Sequence, residues 1–386
     1  MTQQQDKDIT NKFIKKNKKG ISVILIAIVT IIIIVIAICA LTQRTYNSYS
    51  VLKSTPRTDS MTKGYLRYNS DIIKYSTDGI TVISQDLKTI WSASYSMKNP
   101  SVAMSGEYIA VADIGGKEIN VYDKKGNAKK IENAREICQV EVSDSGMVAI
   151  MTKENMAYYI SIVNSSKKYI DIKTRIKEDG YPVDMAFSND SKKLVTSYMR
   201  IEDGEVNNYV TFYNFAEVGK NYESRIVKGD SYGKVMVPKV DFVDSDTVCV
   251  FSQDRFIVYK MKATPEEVFK TKKYEQTIRS IICRDNYVGI VVDGKKEDEK
   301  TIHLWTVDGR KKLTKSINYD YDKIDIYKDD IVMSTEQDAL IIRTSGKIKF
   351  RGEFKEEVEY IIPYNNRQKF YFITQQNIDK IKLVNN

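Results

Sequence analysis

The sequence predicts an all-β protein, a β-propeller carried behind one transmembrane α-helix. Three observations predict it. An uncharged apolar run fills 21–41, a strand motif recurs eight times between 71 and 374, and Gly, Asp and Asn turns separate the recurrences.

The apolar run reads ISVILIAIVTIIIIVIAICAL, with no charge, Pro or Gly. As a helix it is roughly 30 Å long, about the thickness of a bilayer's hydrocarbon core. A helix is also the one open segment that satisfies its own backbone in lipid, despite the β-branched Ile and Val. A cleaved signal peptide has a shorter apolar stretch, roughly 7–15 residues, with a small-x-small site behind it. Ala37-Ile38-Cys39 makes a poor site of that kind, and Ile38 stands where a lipoprotein cysteine wants a small residue. An uncleaved anchor is therefore expected.

Orientation follows from the flanks. Lys7, Lys12, Lys15, Lys16, Lys18 and Lys19 precede the run, whereas only Arg44, Lys53 and Arg57 follow it over a similar distance. Basic residues collect on the cytoplasmic side, so 1–20 is read as a Lys-rich cytoplasmic tail and 42–386 as exterior. With Asp6 and Asp8 the tail carries +4, leaving +5 of the total +9 spread over the rest. No basic stripe remains to suggest nucleic acid. The tail's natural contact is anionic membrane lipid.

Residues 42–63 read as a polar spacer. Beyond it, period-2 alternation of Val, Ile, Tyr and Phe takes over. The recurring strand is DIIKYS at 71, YIAVAD at 108, MVAIMT at 147, KLVTSY at 193, TVCVFS at 247, YVGIVV at 287, DIVMST at 330 and KFYFIT at 369. A mean interval of about 43 residues between all-strand units is the spacing of four-stranded propeller blades. An inner strand precedes each recurrence and a third strand follows it. Asp-Gly and Ser-Gly turns, which supply positive φ, join the strands. The units fall at 64–96, 100–132, 137–174, 181–228, 236–273, 278–315, 321–352 and 358–384. That makes a propeller of eight blades, or seven if the first or last unit is incomplete. The last unit runs out after its third strand, so a strand at 46–52 is the candidate to close the ring and remove the open edges.

Two connections of every blade lie on each face. Those between first and second strands, and between third and fourth, are mostly short. The long stretches 173–181, 199–208, 229–237 and 293–301 gather on the other face. Insertions on one face of a repeat protein mark either its binding face or tolerant surface drift. As a binding face it offers Tyr181, Arg200, Glu202, Asp203, Asp230, Tyr232, Lys295 and Lys296 to a partner.

The chemistry that the composition excludes is broad. One His and four Cys leave almost no stock for a His-based triad, a His-rich metal site or a disulfide scaffold. Gly229-Asp230-Ser231-Tyr232-Gly233 matches the nucleophile-elbow pattern, but that pattern works only between a strand and a helix with a His at hand. Here a strand follows, so 229–233 is read as a turn. His303 alternates with Ile302 and Leu304 on a predicted strand and is read as a packed or surface ring. Cys138, Cys249 and Cys283 lack C-x-x-C spacing and read as buried thiols, their odd number arguing against a closed disulfide set. Acidic turns lack the calcium-loop series. No catalytic residue, metal ligand or cofactor is assigned. A paired-carboxylate glycosidase would leave no spacing to read, since its acids come from different blades. The abundant Tyr, 26 in all, suit strand packing.

A resemblance enters on particular stretches. DIIKYSTDGIT at 71–81, Ile90-Trp91 with Asn99-Pro100, YIAVAD at 108–113, GYPVDMAFSNDSKKLVTSY at 180–198, TFYNFAEVG at 211–219 and Ile381-Lys382-Leu383 carry it. Over 54–384 the chain resembles an uncharacterised bacterial family of single-pass membrane proteins, a domain of unknown function. Its strand-and-turn pattern is similar to quinoprotein-like and WD40-like propellers. The adjacent cysteines and docking Trp of quinone-bearing propellers are absent. The resemblance implies an anchor plus an extracytoplasmic propeller at 64–386 in the membrane–wall space, and it brings no assigned activity or catalytic residues. The expected role is a protein-interaction or scaffold module that meets an envelope protein or a wall component. The alternative is a ligand- or glycan-binding receptor, or an enzyme, using the central funnel.

Overall fold

The computed structural model describes residues 26–34, 44–57, 62–164, 168–175, 180–364 and 368–385. Across them the chain forms eight four-stranded antiparallel sheets. The first seven are meanders in chain order, spanning 62–94, 100–132, 136–175, 181–233, 239–270, 278–317 and 323–353. The eighth joins Val358–Pro363, Lys369–Thr374 and Asn377–Val384 to Ser48–Pro56 from the other end of the chain. Inner strands of successive blades lie side by side. The fold is therefore an eight-bladed propeller, and the seven-blade alternative falls away.

Burial explains why the second strand of each blade was the legible repeat. That strand sits mid-blade with a neighbouring sheet on each face, so both of its faces are covered. Val148–Met151 and Thr247–Phe251 are buried without a break. A doubly covered strand reads as a continuous apolar run. Fourth strands lie at the rim and stay largely exposed, as in Ala128–Glu132. Apolar layers fill the space between blades; Val332, Ile341, Phe350, Phe370 and Phe372 form the one between blades 7 and 8.

Ring closure is antiparallel, from Ser48 opposite Val384 to Pro56 opposite Asn377, with one bulge between Val51 and Lys53. The closing strand runs on to Pro56, beyond the 46–52 expected, so part of the expected spacer belongs to the propeller. Tyr49 pins it inward. Its ring lies edge-on to Phe372 at 5.0 Å and to Phe354 at 6.4 Å, and its hydroxyl accepts the Lys355 amide N–H at 2.9 Å. Buried cations tie blades together elsewhere. Lys193 of blade 4 reaches Asp190 and, across the blade boundary, Asp246, each at 2.9 Å.

The strand directions separate two faces. The proximal face carries the connections between first and second and between third and fourth strands. The distal face carries those between second and third strands and those between blades. Ser48–Pro56 starts on the proximal side, where Ser48 meets the end of Asn377–Val384. Just upstream, the Tyr46 amide donates to Lys349 O at 2.8 Å and Arg343 donates to Arg44 O at 2.6 Å. The chain thus enters the ring from the proximal face.

Four expectations change in detail. The stretch 199–208 is not a loop but the tip of an extended hairpin, Lys193–Glu202 and Glu205–Asn214. Asp203 (φ 51°) and Gly204 (φ 79°) supply the two left-handed residues that let both strands run on to a two-residue turn. Residues 229–233 are likewise not a turn; they end the fourth strand Ile226–Gly233. The longest connection is on the proximal face, 215–225 with two short 3₁₀ segments. Within the expected span 21–41, residues 26–34 are helical and their Ile and Val side chains are exposed. Among the described residues no helix is long and apolar enough to cross a membrane. The rest of that span and the tail 1–20 lie outside the described residues.

Replacing Tyr49 with Ala removes the ring and hydroxyl that hold the closing strand. The expected cost is about 3 kcal/mol of unfolding free energy, read from the midpoint of a denaturant titration. A change under about 0.5 kcal/mol, the range of an ordinary surface substitution, would show that closure does not rest on this residue.

Candidate interaction face and axial channel

All eight candidate residues sit on the distal side. Tyr181 opens the inner strand of blade 4, and Arg200, Glu202 and Asp203 form the hairpin tip beside it. Asp230 and Tyr232 lie on the distal half of that blade's fourth strand. Lys295 and Lys296 are exposed in the connection between the second and third strands of blade 6. Blade 5 stands between the two groups, so they do not form one patch.

Their availability differs. At the hairpin, Tyr209 donates to Glu202 at 2.6 Å, Arg200 pairs with Glu202 at 3.4 Å, and the Arg200 guanidinium lies 5.4 Å from the Tyr209 ring centre. This triad stiffens a tip that still exposes Ile201 (65%) and Val206 (46%). Asp230 is already engaged, accepting from Tyr259 at 3.0 Å and pairing with Lys228 at 3.2 Å. Burial pushes the Tyr232 hydroxyl up to about 12. Asp230 and Tyr232 thus serve packing between blades 4 and 5 and wall a cleft of about 400 Å³.

Two further clefts open on the same face. One of about 530 Å³ lies between blades 5 and 6, over Gln253, Tyr274 and Arg279. The larger, about 880 Å³, lies over blade 7 between Tyr319 and Phe354 and is rimmed by Asp320, Glu336, Glu356 and Glu357. Sequence reasoning missed both, because their walls come from connections of ordinary length in different blades.

It also missed the lining of the axis. In each blade one inner-strand residue stands opposite the fifth residue of the recurring strand. These are Gly64, Ser101, Gln139, Asp184, Lys239, Ser280, Lys323 and Tyr360. None is aliphatic. In five blades the register slips immediately before this residue, as between Ile137 and Gln139 or Pro182 and Asp184. Such a bulge re-aims the side chain that follows it. The result is a polar belt that links neighbouring blades. Gln139 donates to Asp184 at 3.1 Å and to Met185 O at 2.8 Å, and Lys239 pairs with Asp184 at 3.2 Å. Further round, Tyr321 donates to Ser280 at 2.8 Å, and the Lys323 ammonium lies 4.2 Å from the Tyr360 ring centre.

Two residues beyond the belt on blades 3 and 5, towards the proximal end, come Glu141 and Asp241. Burial raises the Glu141 carboxyl to about 8; Lys239 opposes the shift, and Asp241 and Asp184 add to it. Burial also raises Asp241, against the pull of Lys239. Nearer the proximal end, Arg284 pairs with Asp325 at 3.5 Å. Arg67 of blade 1 then crosses the axis to reach Asp285 of blade 6 at 3.7 Å and the Tyr327 ring of blade 7 at 4.4 Å. The axis is bridged at its proximal end by a cation and lined farther in by carboxylates.

His303 behaves as its strand position implies. It packs against Tyr274 and Trp305, contacts Thr314 at 3.3 Å, and has its pKa lowered by burial with help from Lys311 and Lys272. Among the described residues, no three His, Cys, Asp or Glu side chains converge as a metal site.

The fold recurs in solved structures. BamB from Moraxella catarrhalis is similar over 87% of this chain and 100% of its own, with a TM-score of 0.53 at 11% identity. The dihydro-heme d1 dehydrogenase NirN, in complex with DHE, is similar over 79% of this chain and 68% of its own, with a TM-score of 0.51 at 12% identity. At such identities the likeness is one of fold. No curated protein matches the sequence. The model of one family matches residues 42–383, from the chain's entry on the proximal side to the end of the last strand. The match spans the propeller with its closing N-terminal strand, and this chain therefore belongs to a family of unknown function, DUF5711.

Proposed function

We propose that the protein is a membrane-tethered, extracytoplasmic interaction module that presents its distal face to an envelope protein or wall component. One observation carries this reading. Residues 44–47, which follow the apolar run in sequence, join the ring on the proximal face, while the three clefts described and all eight candidate residues lie on the opposite face. A tether on one side leaves the other side free to meet a partner. The stiffened hairpin with exposed Ile201 and Val206, and the Lys295–Lys296 connection, are its most available contacts.

A second reading rests on the axis. Glu141, Asp184 and Asp241 gather three carboxylates about Lys239, so a cationic ligand entering from the distal side would find charge to meet it. In this reading the ligand's charge takes the place of the proton that Glu141 holds near neutrality.

Both readings are open to test. In intact cells, Asp203→Cys should react with a membrane-impermeant maleimide; protection would reverse the topology. A photo-crosslinking residue at Lys296 or Ile201 should give a discrete adduct that one at Glu217, on the proximal face, does not. Equal adducts from both faces would remove the distal-face reading. For the axis, the cationic probe spermine should raise the melting temperature of the wild type more than that of Glu141→Gln, and equal shifts would remove that reading.

Glu141 also makes a pH prediction with a fixed sign. Its carboxyl titrates near 8 folded and near 4.5 as a free group. Between those values the folded chain holds a proton that the unfolded chain has released, so stability falls as pH rises through the window. Chemical denaturation at pH 5 and pH 8 should show a larger loss for the wild type than for Glu141→Gln. Parallel losses would show that Glu141 ionises normally.

A further inference from the structure

Only Thr42 and Gln43 separate the apolar run from a chain already fixed to the ring. The carbonyl of Arg44 accepts from Arg343 at 2.6 Å. The Tyr46 amide donates to Lys349 O at 2.8 Å, and the Tyr46 hydroxyl accepts from Gln368 at 2.6 Å. A fully extended chain covers at most about 3.6 Å per residue, so Leu41 and Arg44 lie no more than about 11 Å apart. The run matches the hydrocarbon core alone, and each headgroup layer adds only about 5–8 Å beyond that core. No length is left over for a stalk.

The fold gathers cations around this entry that are far apart in sequence. Arg44 is exposed, and so is Lys347 in the turn 344–347 of blade 7. Arg343 closes that turn, its amide donating to Lys347 O at 2.9 Å. In blade 8, Lys369 and the exposed Lys382 stand opposite each other at the proximal ends of the second and third strands. Lys382 also stands opposite Ser50 of the closing strand. The described carboxylates on this side of blades 7 and 8, and of the adjoining turn 84–88, are engaged. Asp330 pairs with Lys349, Asp86 pairs with Lys380 at 3.5 Å, and Asp329 accepts from Tyr287 at 2.9 Å.

We propose that the propeller sits directly on the bilayer, its proximal edge at blades 7 and 8 docked on anionic lipid headgroups. This rests on the reading of 21–41 as an anchor, but not on which side of the membrane the ring occupies. Two observations of different kinds carry it. The reach of the chain sets the edge at headgroup depth, and the charge gathered there has the sign that lipid phosphate attracts. Such attraction acts within a Debye length of the surface, about 8 Å at physiological salt. A ring docked at this edge keeps its distal clefts turned away from the membrane.

The test reconstitutes the full chain in vesicles of phosphatidylcholine alone, or of phosphatidylcholine and phosphatidylglycerol in equal parts. Each vesicle carries a trace of lipid spin-labelled at the headgroup. The chain carries a genetically encoded fluorescent amino acid at Ser345, beside Lys347, or at Asp203 on the distal hairpin. The probe at Ser345 should lose fluorescence, and lose more in the anionic vesicles, whereas the probe at Asp203 should not. Lys347→Gln combined with Lys382→Gln should remove the difference between the two vesicles without changing the circular dichroism. Flotation after alkaline extraction reads the anchor separately. A chain that does not float lacks the anchor, and the seating falls with it. A chain that floats without quenching at Ser345, or with equal quenching at Asp203, keeps the anchor and overturns the seating. Equal quenching in both vesicles, unmoved by the double variant, would overturn the part played by anionic lipid.

Discussion

A propeller is a strip of sheets until its last blade finds a fourth strand. Here that strand is Ser48–Pro56, and the constraint it imposes reaches well beyond eight backbone pairings. Without it, the last blade would present the bare edge of Asn377–Val384, and only the packing of blade 8 on blade 1 would tie the two ends of the ring together. Sheet edges left open recruit other chains. Because the closing strand comes from the N-terminal side, it also fixes the face on which residues 44–47 join the ring. They join on the proximal face, next to Lys349 and Arg343. Closure and orientation are consequences of one register.

That coupling gives the two faces different physical roles. The proximal face is crossed by mostly tight turns and bridged by Arg67, which reaches Asp285 and Tyr327 on blades far from its own in sequence. An ion pair across the axis holds the inner strands against one another where the turns are short. The distal face carries the clefts and the projecting hairpin. The axial ion pair thus lies on the side where the chain enters, and the clefts described lie on the side away from it.

The sequence made the eight-fold repeat legible because the second strand of every blade is covered on both faces, which forces an unbroken apolar run. Blade boundaries could be read to within a few residues for the same reason. What escaped was everything that depends on bringing different blades together. The belt from Gly64 to Tyr360 is the clearest case. Its residues come one from each blade, and a bulge before five of them breaks the period-2 phase. An alternation read straight through Ile137–Val142 assigns Gln139 and Glu141 to the wrong side of the strand. Loop reasoning failed in a related way. Long polar stretches were taken as surface connections, whereas Asp203 and Gly204 permit the strands to continue, and Asp230 is engaged by Tyr259 and Lys228.

The charges follow the same division. A net excess of basic residues suggested little about partners, since nearly half of it lies in the tail. Local pairing is more informative than that total. Lys193 is almost wholly buried yet matched by Asp190 and Asp246, so it links two blades through charges that more than balance its own. A buried cation left without partners would cost several kcal/mol, about 3–5, so such a lysine is fixed once its blade has formed. Glu141 is the contrast. It accepts from Gln139 at 3.3 Å, but burial, with Asp241 and Asp184 adding to it, raises its carboxyl against the pull of Lys239. Lys193 and Glu141 thus differ in kind: one is matched across a blade boundary, and the other carries a raised carboxyl on the axis beside a belt that five bulges help to aim.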